Sequence, residues 1–165
     1  MKKTKKCILN LKDINLISIG NDDFQFGYEL WKLTQKEFLI KIKGEWNDES
    51  EIEFYMDETK RNIENNYLIK YNENNVGWLE YVICKEYIFL KQIHILPQYQ
   101  GKGIGSIIIN EIIKYGIKKR KDIYLEVLQF NIKALEYYKK RGFYEYRESS
   151  LSKDLLYEVK NKKNI

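Results

Sequence analysis

The chain has little of what most small catalytic and metal sites are built from. Its 165 residues include one histidine, His94, and two cysteines, Cys7 and Cys84. Thiols so far apart in sequence suggest neither a disulfide framework nor a Cys-based metal site. A single imidazole cannot build a His-rich zinc centre, so no metal is expected. A Ser-His-Asp triad needs only one histidine. His94, however, stands in the apolar run Ile93-His94-Ile95-Leu96, where a hydrogen-bonded core histidine is the simpler expectation. No apolar run reaches the ~18 residues of a membrane-spanning helix. The start, Met1-Lys2-Lys3-Thr4-Lys5-Lys6, is as basic as an export signal, but Asn10, Lys12, Asp13 and Asn15 interrupt the stretch after it. A cytoplasmic protein with no membrane partner is expected.

Apolar residues make up 44% of the chain, enough for a true core, and the length suits one domain over residues 1–165. The 29 Lys and Arg against 24 Asp and Glu give a net charge of +5, and only four of the 29 are arginine. Arginine is the usual fork for phosphates and base edges. A lysine surplus therefore reads as solubility first and nucleic-acid binding second. Seven acids and no Lys or Arg fall within residues 45–58.

Hydrophobic period sketches the elements. Ile14 to Ile19 alternates as a first strand, and Asn21 and Asp22 offer a helix cap. Phe24, Tyr28, Trp31, Phe38 and Ile42 follow at helical spacing up to Gly44. A second helix starts near Asp48. Tyr67–Tyr71, Val76–Cys84 and Tyr87–Leu96 form an antiparallel meander. A helix over 103–119 places Ile104, Ile107, Ile108, Ile112, Ile113 and Ile117 on one stripe. Ile123–Leu128 is a strand, Ile132–Arg141 a helix stopped by Gly142, and Phe143–Tyr146 and Leu155–Val159 are late strands. The helix joining Tyr87–Leu96 to Ile123–Leu128 favours a parallel, right-handed crossover.

The only proline and three of the nine glycines gather in Leu96-Pro97-Gln98-Tyr99-Gln100-Gly101-Lys102-Gly103-Ile104-Gly105-Ser106, between a strand and a helix. Proline ends the strand. The glycines admit positive φ and bare the backbone, and amides at a helix N-terminus favour an anion. The stretch is a phosphate cradle in physical terms. It is not a P-loop, because Ser106 rather than Lys follows Gly105, and it does not match Gly-x-Gly-x-x-Gly.

Gln98-Tyr99-Gln100-Gly101-Lys102-Gly103 resembles the acyl-CoA pyrophosphate loop of the GCN5-related N-acetyltransferase (GNAT) superfamily, Gln/Arg-x-x-Gly-x-Gly/Ala. Leu125-Glu126-Val127, then Asn131, Ala134, Tyr138 and Gly142-Phe143, resembles that family's second signature at the same spacing. Ala134 is the only alanine in the chain. The resemblance covers residues 67–148. It implies an α+β fold, an α/β/α sandwich whose mixed, mostly antiparallel sheet splays between the fourth and fifth strands. It implies acetyl-CoA as cosubstrate and an N-acetyltransferase that acts on a primary amine of a small molecule or peptide. Backbone of Ile93, His94 and Ile95 would pair with the pantetheine arm. Amides of Gly101, Lys102, Gly103, Ile104, Gly105 and Ser106, beside Gln100, would hold the pyrophosphate. Asn131, Ala134, Tyr137 and Tyr138 would line the cofactor.

Direct attack by a neutral amine on a thioester sets three tasks. A main-chain donor near Ile95 would hold the oxyanion. Tyr138 matches the family's acid position for the leaving thiolate. The base is open between Glu126, which matches the position used in some members, Glu80, and a water. In this fold the first two helices and their loop wall the acceptor, here Gly44 to Glu49. Trp46 and Glu45 there would suit a cationic amine. Two other classes stay open. One is an acyl-CoA-binding module without catalysis, and the other a basic nucleic-acid binder supported only by charge. A homodimer through the late strands is among the expected assemblies.

Overall fold

The computed structural model describes residues 7–11 and 13–159. The basic start Met1 to Lys6 lies outside them. By its contacts the chain divides into two compact units, one up to Glu80 plus Gln92–Gly105, the other Tyr81–Lys91 plus the chain from Ser106.

In the first unit, strands β1 (Cys7–Leu11), β2 (Ile14–Ser18), β3 (Asn66–Tyr71) and β4 (Asn74–Ile83, as far as Glu80) pair antiparallel in sequence order. Strand β1 was not anticipated from hydrophobic period. It closes on β2 with Leu11 opposite Ile14, so a tight turn defines it rather than its own alternation. Helices α1 (Phe24–Lys43) and α2 (Asp48–Arg61) lie close to their sequence-based limits. Neither Asn21 nor Asp22 caps α1. Both sit in a single 3-10 turn, and Asp23 takes the cap position, its carboxylate accepting from the Gly20 amide at 2.8 Å. Helix α2 has a true cap, because the Asn47 side chain accepts from the Ser50 amide at 2.9 Å. Gly44, at φ +84°, ends α1.

The core of this unit is Ile19, Phe24, Leu30, Leu68 and Trp78, backed by Phe26, Met56, Ile63 and Leu96. Trp78 is fully buried, and its indole N–H donates to Asn66 Oδ1 at 2.7 Å. Gly27 is required by close approach. A Cβ there would stand 2.4 Å from the Tyr55 hydroxyl and 2.7 Å from the Trp78 ring.

In the second unit, β5 (Tyr87–Ile95, as far as Lys91) pairs parallel with β6 (Asp122–Leu128), and helix α3 (Ile104–Lys119) joins the two. Strand β8 (Ser152–Tyr157) inserts antiparallel beside β6, with β7 (Tyr144–Glu148) outside it. Helix α4 (Ile132–Lys139) precedes β7. The mixed, mostly antiparallel α+β architecture is therefore the expected one. The α3 stripe is narrower than its spacing suggested. Ile104, Ile108 and Ile109 are buried, whereas Ile107 and Ile117 are 41% and 46% exposed. A helix so rich in isoleucine does not declare its inner face by period alone.

The β5–β6 ladder begins at Tyr87 opposite Asp122 and ends at Leu90 opposite Leu125. Strand β5 runs on to Ile95 and β6 to Leu128. With β1 counted, the parallel pair at which the resemblance implies a splay is the fifth and sixth strands.

Candidate active site

The glycine-rich segment leaves β5 through a 3-10 turn at Pro97–Tyr99. Its entrance is pinned from both sides. The Leu96 amide donates to Val76 O at 2.9 Å, and the Gln100 side-chain amide donates to Ile95 O at 2.9 Å. Gln100 thus shapes the loop through the backbone. Gly101 and Gly103 have φ of +74° and +83°, and a Cβ at either, or at Gly105, would meet nothing within 4 Å. Positive φ requires glycine at the first two, and the open space lets a ligand reach main chain directly. Helix α3 starts at Ile104, so the first unbonded amides of its N-terminus follow at once. Lys102 is exposed, its ammonium 4.8 Å from the centre of the Tyr99 ring.

Ser106 lies in the first turn of α3. Its Oγ accepts from the Tyr137 hydroxyl at 3.2 Å and from Arg141 at 2.7 Å. The Arg141 guanidinium lies 3.5 Å from the centre of the Tyr137 ring and also donates to Tyr137 O. This places a cation beside the first turn of α3. Sequence reading missed Arg141. The signal was present, because it is one of four arginines and sits next to Gly142-Phe143.

Asn131 caps α4, its side chain accepting from the Ala134 amide at 3.2 Å. Two signature residues are thereby joined by local helix chemistry. Tyr138 is buried, its ring edge-on to Tyr137 at 5.2 Å and to Phe143 at 5.4 Å. Burial holds its hydroxyl proton well above the ordinary tyrosine range. Tyr137 adds to that effect and Arg141 opposes it.

Glu126 stands one residue past the last β5–β6 pair, with Asp154 opposite it on β8. It is exposed, while its neighbours Leu125 and Val127 are buried, so it points to the other face of the sheet from them. The ring series Tyr138–Phe143–Tyr157 follows the face of Ile123, the cross-strand partner of Tyr157. Glu126 and Tyr138 consequently occupy opposite faces of this unit's sheet. Glu126 lines an open groove of about 450 Å³ with Tyr87, Tyr124, Tyr146 and Asp154.

His94 is buried and bonded at both nitrogens, to Thr34 Oγ1 at 2.9 Å and Gln92 Oε1 at 3.0 Å. The Gln92 amide nitrogen donates to Glu80 Oε2 at 2.9 Å, so its oxygen must accept from His94. The imidazole proton is therefore on Nε2, and bare Nδ1 faces Thr34 Oγ1, whose hydroxyl also has Leu30 O at 3.0 Å. Burial pushes this imidazole down to about 4. It is the satisfied core histidine expected from its apolar run, and Glu80 ends the same donor chain.

Trp46 lies against Trp31, ring centres 5.4 Å apart, and donates its indole N–H to Asp48 at 2.7 Å. The cation over its ring is the chain's own Lys36, at 5.4 Å. Asp48 is already paired with Lys32 at 2.7 Å, and the hydrogen bonds from Lys32 and then Trp46 draw its carboxyl down to about 2. Glu45 is exposed. Among the described residues no group of three or more His, Cys, Asp or Glu is placed to hold a metal, and no helix is long and apolar enough to cross a membrane.

A glycine-rich loop between a strand and a helix, and the parallel β5–β6 pair, are features the resemblance to the acyl-CoA N-acyltransferase class implies. Residues 27–143 match the model of the acetyltransferase (GNAT) family, and the chain belongs to that family. A thialysine N-epsilon-acetyltransferase of Mus musculus is 36% identical over 63 residues, 38% of this chain and 37% of that protein. A spermine/spermidine N(1)-acetyltransferase of Bacillus subtilis is 31% identical over 83 residues, 44% of this chain and 55% of that protein. The chain thus spans well under two thirds of the length of these relatives. In fold it is similar to the PaiA N-acetyltransferase of Thermoplasma acidophilum in complex with coenzyme A, with a TM-score of 0.67 at 20% identity, over 88% of this chain and 98% of that one.

Proposed function

We propose that this protein transfers the acetyl group of acetyl-CoA to a primary amine of a small molecule or peptide. The observation that carries the proposal is the loop at Gly101–Gly105, whose backbone is bent for an anion and left uncovered where side chains would stand. The relatives named for spermidine and thialysine support a cationic amine as acceptor.

The loop amides and Lys102 would hold the pyrophosphate, and backbone of Ile93, His94 and Ile95, beyond the last β5–β6 pair, would bind the pantetheine arm. Acetyl-CoA supplies an activated acyl group and a good leaving thiolate. The chain's own residues do the rest. Main chain near Ile95 stabilises the developing oxyanion. Tyr138, protonated at neutral pH as a tyrosine ordinarily is, would serve as the acid for the departing sulfur. Glu126 takes the amine proton from the exposed face of β6, directly or through water. Acid and base on opposite sheet faces can serve one reaction only where the strands part, and the ladder stops one residue before Glu126. Asn131 and Ala134 set the start of the helix that carries Tyr137 and Tyr138.

A cytoplasmic location suits the free thiol of Cys84. Strand β7, exposed along its length at the sheet edge, offers a ladder to a second copy, so a homodimer is the assembly we favour. The decisive experiment is calorimetry with acetyl-CoA followed by a thiol-release assay across an amine panel. Saturable binding with amine-dependent thiol release is expected. Binding without release would make the protein a carrier of acyl-CoA, and a steep salt dependence of nucleic-acid affinity without CoA binding would make it a nucleic-acid binder.

A further inference from the structure

Arg141 carries a charge that the chain does not answer. Its guanidinium lies over the Tyr137 ring and donates through Nη1 to Tyr137 O at 3.0 Å and through Nη2 to Ser106 Oγ at 2.7 Å. Among the described residues it has no other partner, so no carboxylate meets it. Arg61, by contrast, has Glu58 at 2.7 Å. Arg141 is half-buried, and a partly buried charge is screened less than one in open solvent. Ser106, Tyr137 and Arg141 all belong to the second unit.

The serine is as constrained as the arginine. A hydroxyl has one proton to give and two lone pairs with which to accept. Tyr137 and Arg141 both donate to Ser106 Oγ, so its lone pairs are filled and its own proton must be given away. Among the described residues nothing accepts that proton. Ser106 is the third residue of α3, in the turn whose amides lack intrahelical acceptors. A hydroxyl proton, the remaining guanidinium N–H groups and helix amides are thus gathered at one helix start. A neutral side chain at position 141 could tie α4 to α3 through the same hydroxyl. The guanidinium adds a positive charge and a planar fork, which suit the oxygens of a phosphate.

We propose that Arg141 and Ser106 clasp a phosphate of coenzyme A, the serine as a committed hydrogen-bond donor and the arginine as the charge. The inference rests on the acetyl-CoA reading and deepens it, because it adds a side-chain contact outside the glycine-rich loop. Tyr137 is the positioning residue of the pair, since its ring carries the guanidinium and its hydroxyl fills a serine lone pair. Coenzyme A offers a diphosphate and a 3′-phosphate, and the clasp suits either.

The test is calorimetry on the full chain with acetyl-CoA and its 3′-dephospho form, joined to phosphorus NMR of the saturated complexes. Arg141→Gln should weaken acetyl-CoA about tenfold or more, because the lost bond is between charged groups. Ser106→Ala, which removes one oxygen and no charge, should also weaken it and carries the test if Arg141→Gln fails to fold. Arg141→Lys keeps the charge without the fork and should lose less than Arg141→Gln. Lys140→Gln, the same charge change at an exposed neighbour, should leave affinity unaltered. A loss shared by both ligands assigns the diphosphate, and a loss confined to acetyl-CoA assigns the 3′-phosphate. In either case the resonance of that phosphate should differ between wild type and variant. Acetyl-CoA affinity that survives both Arg141→Gln and Ser106→Ala would overturn the clasp while the transferase reading stands. So would weakened binding with every phosphorus resonance unmoved, which marks a packing role. Wild-type protein that binds no acetyl-CoA would overturn both.

Discussion

The His94 network makes the protein's resistance to acid a quantity that can be worked out beforehand. The imidazole is held neutral inside the first unit, and burial lowers it from 6.5 to about 4. In the unfolded chain it titrates near 6.5, so between these two values the unfolded state binds a proton that the folded state refuses. Stability from this group is whole above about pH 6.5 and drains away as pH falls toward 4. Each pK unit is worth 1.36 kcal/mol, so the loss is about 3 kcal/mol. With a urea slope near 2 kcal/mol per M, that moves the unfolding midpoint down by about 1–1.5 M. Glu80, at the far end of the donor chain, faces the same cluster through Gln92. The assay is urea unfolding at intervals from pH 7.5 to 4.5 for the wild type and for His94→Gln, which keeps a polar side chain and cannot charge. The variant should be less stable at pH 7.5, and its curve against pH should be the flatter one. Parallel curves would refute the buried, neutral assignment.

Three further outcomes follow from particular contacts. Tyr138→Phe keeps the ring contacts with Tyr137 and Phe143, so melting should barely move while kcat falls about 10²-fold or more; an unchanged kcat removes Tyr138 from catalysis. Gly27→Ala drives a methyl group into Tyr55 and Trp78, and should lower stability by about 1–3 kcal/mol in denaturant unfolding. Gly103→Ala meets no atom but must adopt φ near +83°. It should cost about 1 kcal/mol of stability and weaken acetyl-CoA binding in calorimetry, and equal affinity would show that the loop backbone does not grip the ligand.

The order of elements after β1 could be read from the sequence because each has its own period or breaker. Phe24 to Lys43 is amphipathic between a turn and Gly44, and the run from Pro97 to Ser106 carries its glycines at a strand-to-helix junction. What could not be read was whatever depends on partners distant in the chain. Strand β8 displaces β7 from β6 through pairings such as Leu125 with Leu155, which no local pattern encodes. His94 meets Thr34 sixty positions away, so its satisfaction was expected but not its partner. Trp46 and Glu45 look in sequence like a site for a cationic amine, yet Trp46 already carries Lys36 from α1 over its ring and donates to Asp48, which Lys32 holds.

The loop that begins at Leu96 is tied down before any ligand arrives. Its inlet is fastened to Val76 and to Ile95, and its two bends are locked by torsions that only glycine tolerates. A mouth whose inlet is fastened in this way should lose little ordering entropy when the diphosphate settles.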